Sequence, residues 1–167
     1  RHLVKKEFSK ATAMFDDDKV QEHLQKNPND QVGALKKLPK RNLQFLVSAY
    51  QSFLWNKAVE KYLSHQPDKD EKFPVPGFNI EVSGIKKEIL ESVLEEENLG
   101  LNDFINRQFP ELSCDGHYRR IFTAVNNLEI GGLENDEENE GYKVTVKFFL
   151  ERGNYATNVI NYMFAHS

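Results

Sequence analysis

Residues 42–64 read NLQFLVSAYQSFLWNKAVEKYLS, and this stretch decides the fold of the chain. Its apolar residues recur at helical spacing, which predicts a long helix with a wide apolar face. That face consists of Leu43, Leu46, Val47, Tyr50, Phe53, Leu54, Ala58, Val59 and Tyr62. Because a face of this width has to be covered, we expect a helical module to be built around it.

The other side of the predicted helix is polar but carries no charge before Lys57. Its residues, spaced three and four apart, are Gln44, Ser48, Gln51, Ser52 and Asn56. A solvated face more often uses Glu and Lys, so this side either binds a fixed partner or hydrogen-bonds to neighbouring backbone. Hydrogen bonding to the backbone is the simpler of the two interpretations.

Shorter elements surround the long helix up to Pro110. The sequence predicts two helices within residues 3–24 that separate at 16–18, a helical turn at 32–35, an amphipathic helix at 85–97 with Ile85 inward, and a short helix at 101–107. Residues 66–76 are rich in proline and charge, and PVPGF at 74–78 is typical of a turn. We therefore expect only helices and loops in residues 1–110.

The pattern changes after Pro110. Residues 119–130 and 142–150 predict two strands, the second well buried, and the acidic stretch 131–141 predicts a solvated hairpin loop between them. A final helix follows, with Val159, Ile160, Met163 and Phe164 inward. The predicted class is α+β: a mainly helical domain at 1–110, then at 111–167 a small part of a mixed or antiparallel sheet with a terminal helix. Two strands are marginal alone, so we expect them to complete a larger sheet.

The overall charge limits where the chain could bind nucleic acid. A net charge of -4 argues against a binder over its whole surface, because phosphate contacts need concentrated Lys and Arg. Two local clusters meet that need: Lys36, Lys37, Lys40 and Arg41 at the entrance of the long helix, and Arg119 and Arg120 beside His117 and Tyr118. The alternative for both clusters is simple solvation.

A strand-turn-helix near the end of the chain contains a possible base platform. Gly153 allows a tight exit from the strand, and Asn154 or Thr157 can cap the helix that follows. Tyr155 is then held at the junction, where an aromatic ring can stack a nucleobase for about 1–3 kcal/mol. The alternative is that Tyr155 is a core aromatic.

Other chemistries find little support in the sequence. The single Cys114 excludes an internal disulfide and a multi-cysteine zinc site, and its spacing of three from His117 is too local for a catalytic pair. The common nucleotide, zinc-protease and esterase motifs do not occur, and nothing demands a metal. No apolar run reaches the ~20 residues of a membrane helix, so we expect a cytoplasmic protein without membrane contact.

Three blocks of the sequence together resemble the tRNA pseudouridine synthase D family, in particular its archaeal and eukaryotic branch. They are ALKKLPKRNLQFLVSAYQSFLWNKAVEKYL at 34–63, PVPGF at 74–78 with ELSCDGHYRRI at 111–121, and VTVKFFLERGNYATNVINYM at 144–163. Their order and spacing agree with the family over most of the chain.

The resemblance implies an enzyme that isomerises uridine in structured RNA, chiefly tRNA, without cofactor or metal. It implies that 1–110 is the family's inserted domain and that 111–167 returns to the catalytic domain. Tyr155, with Asn154 and Gly153, takes the place of the base-packing aromatic segment, and Arg119 or Arg120 that of the paired arginines. The family's nucleophilic aspartate lies in a KD-containing motif upstream of an NYFG-type segment. Neither motif occurs here, since Asp70, which follows Lys69, and the other aspartates sit in other contexts. We therefore expect no catalytic residue in this chain.

The chain begins with Arg1, so we expect a piece of a longer enzyme whose other part supplies the aspartate. Two alternatives stay open. One is a non-catalytic RNA-binding module, and the other is a helical protein-interaction domain.

Overall fold

The structure, a computed structural model, describes residues 1–151 and 154–165. The chain divides into two compact units, Arg1–Ile121 and Phe122–Ser167. The helices are α1 Phe8–Thr12, α2 Asp18–Lys26, α3 Gln31–Leu35, α4 Lys40–Tyr62, α5 Gly84–Glu96 and α6 Ala156–Ala165, and the strands are β1 Lys72–Val75, β2 His117–Arg120, β3 Asn126–Asn135 and β4 Tyr142–Phe149. Helices beside small antiparallel sheets confirm the predicted α+β class.

The predicted long helix is α4, and it forms the centre of the first unit. Its buried side contributes Leu43, Val47, Tyr50, Leu54, Ala58, Val59 and Tyr62 to the core, where α4 packs against α5 and β1. The prediction was wrong for Leu46 and Phe53, which are 41% and 48% exposed. The reason is that α5 and β1 cover one side of α4, so residues at the margin of the apolar face stay in solvent.

The short helices α2 and α3 before α4 both begin at an aspartate cap, of which the sequence predicted the one within residues 16–18. The Asp17 carboxylate accepts hydrogen bonds from the N–H groups of Lys19 and Val20 at the start of α2. The Asp30 carboxylate accepts from the Gly33 N–H at 2.8 Å and lies 2.8 Å from His23 Nε2. The Gly33 N–H, and after it His23, lower the pKa of Asp30.

Residues 72–75, expected to be part of a loop, form strand β1. It pairs antiparallel with β2, with Phe73 opposite Arg119 and Val75 opposite His117. Proline is tolerated in this strand because the ribbon has only two strands, so Pro74 removes no central hydrogen bond of a larger sheet. The expectation that residues 1–110 hold no strand is therefore wrong, and the residues after Pro110 up to Ile121 pack within the first unit.

The predicted turn at 74–78 is instead a place where two backbones touch. A Cβ atom added at Gly77 would lie 2.3 Å from the Gly116 nitrogen and 2.6 Å from the Asp115 carbonyl oxygen. The backbones are joined by hydrogen bonds from Phe78 N–H to Cys114 O at 3.0 Å and from Gly116 N–H to Phe78 O at 2.8 Å. Glycine is needed at position 77 because a side chain has no room there.

Two side chains of α4 attach the helix to this ribbon. The buried Gln51 donates through Nε2 to Pro76 O at 2.7 Å and to Asp115 O at 3.3 Å. Trp55 donates through Nε1 to Phe73 O at 3.1 Å. Gln44 reaches Glu111 O at 3.1 Å, so the simpler interpretation of the amide side, hydrogen bonds to neighbouring backbone, is confirmed for Gln44 and Gln51.

Two other predicted elements have different bounds. A short 3-10 turn, Leu101–Phe104, stands where a helix was predicted at 101–107, because the Asp103 carboxylate binds the Gly100 N–H and Ile105 is already extended. The predicted strand 119–130 is split between two strands: β2 belongs to the first unit and β3 to the second. Residues 121–125 lie between them outside any strand.

The second unit is an antiparallel hairpin, β3 with β4, together with α6. β3 runs through the two glycines at 131 and 132, with register irregularities on either side of Ile130, so the acidic loop shortens to residues 136–141. Contrary to the prediction, β4 is largely exposed, because no second layer covers the hairpin among the described residues. In α6, Val159, Ile160 and Met163 are half-buried as expected, whereas Phe164 is exposed.

The double hydrogen bond of Gln51 can be tested by substitution. Gln51→Met keeps the length of the side chain but leaves the buried Pro76 carbonyl and the part-buried Asp115 carbonyl without their donor, so the free energy of unfolding should fall by about 1–3 kcal/mol. Urea denaturation of the 167-residue chain measures it. The matched control is Gln44→Met, whose amide is exposed and should cost within about 0.5 kcal/mol. Equal losses in the two variants would contradict the role given to Gln51.

Candidate nucleic-acid interface

The two arginines of β2 have different partners. Adjacent residues of a strand point to opposite faces. The Arg119 guanidinium lies 5.2 Å from the centre of the Trp55 ring, and its Nη1 donates to Ser52 Oγ at 3.4 Å. Arg120 instead forms a 3.6 Å ion pair with Asp70 on the exposed surface. Arg119 therefore presents a stacked guanidinium beside α4, whereas the charge of Arg120 is already balanced.

The stacking of Arg119 matters for anion binding. A guanidinium held over an indole ring has lost part of its conformational freedom before any ligand arrives, and it keeps N–H donors for a phosphate. Ser52 shares the same site: its oxygen accepts from Arg119, and its hydroxyl can donate to a phosphate oxygen. The sequence predicted the arginine pair, but it did not separate the two roles.

The second predicted cluster surrounds the start of α4. Lys36, Lys37, Lys40 and Arg41 are all exposed, and Lys36 Nζ lies 5.4 Å from the centre of the Phe109 ring. The N-cap residue of α4 is Pro39, which provides no side-chain cap for the helix. Four cations therefore stand next to the positive end of a 23-residue helix, an arrangement that favours phosphate.

The distribution of charge along the sequence also marks this basic surface, although it forms no short motif. Residues 31–59 contain five cations and no Asp or Glu, although the chain as a whole has 26 acidic residues. The fifth cation, Lys57, is paired with Glu96 at 3.2 Å and Glu97 at 3.3 Å. The basic surface is thus concentrated at the first half of α4.

The strand-turn-helix of the second unit displays Tyr155. Its side chain is 72% exposed in the chain, so it is not a core aromatic of the described residues. Asn154 precedes it and has both ends of its amide engaged: Nδ2 donates to Glu151 O at 3.0 Å, and Oδ1 accepts from the Thr123 hydroxyl. Gly153, predicted for the same site, lies outside the described residues.

These contacts give Asn154 and Thr123 a structural part in the turn. Because an N–H and the oxygen of the Asn154 amide are both bonded within the turn, the protein fixes the orientation of this side chain. The ring of Tyr155 is what the turn offers to a ligand. Thr123 was missed from the sequence, since it lies 31 residues before its partner in a segment without a motif.

The cysteine-histidine alternative finds no support in the geometry. The Cys114 thiol is directed to Leu112 O at 3.5 Å, and burial, followed by the charge of Asp115, raises its pKa. Burial and the charge of Arg119 lower the pKa of His117. A thiol whose pKa is raised stays protonated at neutral pH and is a poor nucleophile.

Candidate metal sites and membrane-spanning helices are absent from the described residues. Within residues 1–151 and 154–165, no group of three or more His, Cys, Asp or Glu side chains is placed to hold a metal ion. No described helix has the length and apolarity to cross a membrane. Two open concavities, of about 830 and 500 Å³, lie around Lys6 and Gln108, and none of the predicted site residues lines them.

Comparison with known proteins gives one consistent answer. The family model described as tRNA pseudouridine synthase D (TruD) matches residues 4–74 and 67–162. A protein of Methanocaldococcus jannaschii named "Probable tRNA pseudouridine synthase D 2" is 34% identical over 169 residues, which cover 83% of this chain and 40% of that protein. A Methanopyrus kandleri protein named "Probable tRNA pseudouridine synthase D" is 33% identical over 154 residues, covering 84% of this chain and 37% of that protein.

A solved structure agrees with the sequence comparisons. A crystal structure from Methanosarcina mazei, described as a tRNA pseudouridine synthase D, superposes with a TM-score of 0.71 at 26% identity and covers 86% of this chain and 43% of that one. The chain thus spans about two fifths of the length of the proteins it matches. Since the family model takes in nearly all of the described residues and the resemblance of the three sequence blocks is confirmed, the chain belongs to the tRNA pseudouridine synthase D family.

Proposed function

We propose that this chain is a part of a tRNA pseudouridine synthase in which it binds RNA and forms one wall of the uridine pocket. The observation that carries the proposal is the exposed Tyr155 on a turn fixed by Asn154 and Thr123, in a chain of this family. The named relatives support tRNA as the substrate. Arg119 and the cluster of Lys36, Lys37, Lys40 and Arg41 supply the phosphate contacts, and Arg120 contributes less.

The reaction requires no outside atoms. Uridine becomes pseudouridine when the bond between the ribose and a uracil nitrogen breaks and the same ribose carbon bonds to a uracil carbon. The uracil carbon loses its proton, and the released uracil nitrogen gains one. The target base must first leave its stack. Tyr155 stabilises the unstacked base, and the nucleophilic aspartate belongs to a part of the enzyme outside this chain.

The two parts of the chain have different roles in the enzyme. Residues 1–110 form the inserted domain that grips the RNA, and residues 111–167 return to the catalytic domain. The exposed apolar side chains of the β3–β4 hairpin favour completion of a larger sheet by the rest of that domain. They are Leu128, Ile130, Leu133, Tyr142, Val144 and Phe149.

An assay of the chain alone separates the proposal from its alternatives. The 167-residue chain should bind a tRNA transcript at low salt, where phosphate contacts are strongest, and should form no pseudouridine in it. Pseudouridine formation is scored by reverse-transcription stops after carbodiimide treatment. Product made by the chain would contradict a nucleophile outside it, and undetectable binding at low salt would favour the protein-interaction domain.

Arg119 and Arg120 should differ in their contribution to binding. Arg119→Ala should weaken tRNA binding and reduce by about one the slope of log affinity against log salt, because one phosphate contact is lost. Arg120→Ala is the matched control, and it should change the slope less because Asp70 already neutralises its charge. Titrations at several KCl concentrations measure both slopes, and Trp55, the one tryptophan of the chain, reports contact at Arg119. Equal slopes for the two variants would contradict the assignment.

Tyr155 should affect turnover without affecting folding. Tyr155→Ala removes a stacking platform worth about 1–3 kcal/mol, so pseudouridine formation by the complete enzyme should fall about 5- to 150-fold. Tyr155→Phe keeps the ring and should retain most of the rate. Because the side chain is exposed, the urea midpoint of the variant chain should stay near that of the wild type. A loss of stability with unchanged turnover would restore the interpretation as a core aromatic.

A further inference from the structure

One exposed side of α4 carries a phenylalanine that no role above explains. Arg41, Phe45 and then Ser48 and Ala49 are three or four residues apart, and Ser52 follows at the same spacing, so these residues lie along one side of the helix. The Phe45 side chain is 70% exposed. We call this side, from Arg41 to Ser52, the α4 ledge.

The surroundings of Phe45 leave its ring accessible. Long side chains of a helix lean towards its N-terminus, and the residues one turn on from Phe45 are the small Ser48 and Ala49. The face of the Phe45 ring on its C-terminal side is therefore not covered by a large side chain of α4. Phe53 differs, because its ring stacks on Tyr50 at 6.0 Å and lies 5.7 Å from Lys57 Nζ.

The charges at the two ends of the α4 ledge are both positive. Arg41 stands at the N-terminal end beside Lys37 and Lys40, and Arg119 lies against Ser52 at the other end. Eleven residues of α-helix separate Arg41 from Ser52, a rise of roughly 16 Å. No carboxylate occurs anywhere in residues 31–59, so nothing on this stretch of helix opposes an anion.

We propose that the α4 ledge binds an unpaired segment of the RNA substrate, with a base stacked on Phe45 and the flanking phosphates on Arg41 and Arg119. The proposal rests on the function proposed above, since its occupant is the RNA. An exposed ring among cations is the arrangement that binds single strands without regard to sequence, because every base has a face to stack. Duplex bases are already stacked on both sides and cannot use the ring.

A protein partner is the competing occupant. Leu46 and Phe53 on the adjacent side of α4 are partly exposed and could extend an apolar contact. The charge pattern favours RNA, because an apolar protein interface is depleted in charge at its centre, whereas Phe45 lies between two arginines. The two occupants make different demands at position 45: a protein contact needs apolar area, and a base needs an aromatic face.

Substitutions at position 45 of the full chain distinguish these demands. The probe is a fluorescein-labelled ten-nucleotide oligouridylate, compared with an RNA duplex of the same length. Phe45→Ala and Phe45→Leu should both weaken binding of the single strand by about 5- to 150-fold, and Phe45→Trp should retain it. The new tryptophan should also be quenched by the bound oligonucleotide, beyond the change in Trp55 fluorescence that the wild-type chain shows on binding. Binding of the duplex should change much less in every variant.

The matched control is Met14→Ala. Met14 is apolar and 73% exposed, as Phe45 is, but lies outside α4. Its replacement should leave binding unchanged. The urea midpoints of the position-45 variants should equal that of the wild type, which confirms that they are folded.

Two outcomes overturn the proposal in different ways. If Phe45→Leu binds the single strand as the wild type does, the position needs only apolar area and the base stack is wrong. If Phe45→Ala loses no affinity while Arg119→Ala still weakens tRNA binding, the α4 ledge fails and the proposed function stands. If neither Phe45→Ala nor Arg119→Ala weakens binding, both the α4 ledge and the phosphate contact proposed for Arg119 are wrong.

Discussion

The first unit depends on the amide of Gln51, which reaches from the middle of α4 to two backbone segments at once. Pro76 and Asp115 lie 39 residues apart in the sequence, and both of their carbonyls receive the same Nε2 group. The β1–β2 ribbon begins directly beyond these two carbonyls, so the amide sets where the ribbon leaves the helix. Because Arg119 stands in β2 opposite Phe73, whose carbonyl binds Trp55, the position of the guanidinium over the indole follows from this attachment.

This attachment explains how three separated stretches of sequence, the helix block at 34–63, the proline-glycine block at 74–78 and the arginine block at 111–121, come together in the first unit. The long helix supplies Gln51 and Trp55, the proline-glycine segment supplies Pro76 and Gly77, and the later segment supplies Asp115 and Arg119. A glycine is required at position 77 since the backbone of Asp115 and Gly116 lies against it. Each block is thus a contact surface for the others, and the basic site at Ser52 is where the helix block and the arginine block meet.

Much of the helical part could be predicted from the sequence, whereas the strand pairing could not. Local signals were sufficient where a residue acts on its own helix: the apolar period predicted α4 within two residues at each end, and the aspartates at 16–18 marked the start of α2. β1 was missed because Pro74 and Pro76 indicate a turn, and only the distant residues 117–120 make this segment a strand. The continuous branched and aromatic residues from Arg119 to Ile130 concealed the break between β2 and β3. The alternation in β4 predicted a buried face, yet burial depends on a second layer that the described residues do not include.

The candidate site shows the same division. The exposed cations at the start of α4 were predictable from the local sequence and their place at the entrance of the predicted helix, but the different partners of Arg119 and Arg120 follow from the pairing register and from Trp55. Phe45 went unnoticed because a helical period identifies the buried side and says nothing of an aromatic on the exposed one. Site-specific crosslinking tests the account most directly, using a tRNA transcript with 4-thiouridine and mass-spectrometric mapping of the crosslinked peptides. We expect crosslinks within residues 36–56, at 117–120 and around Tyr155. Crosslinks confined to the acidic loop 136–141, or found in none of these segments, would contradict RNA binding at α4, β2 and Tyr155.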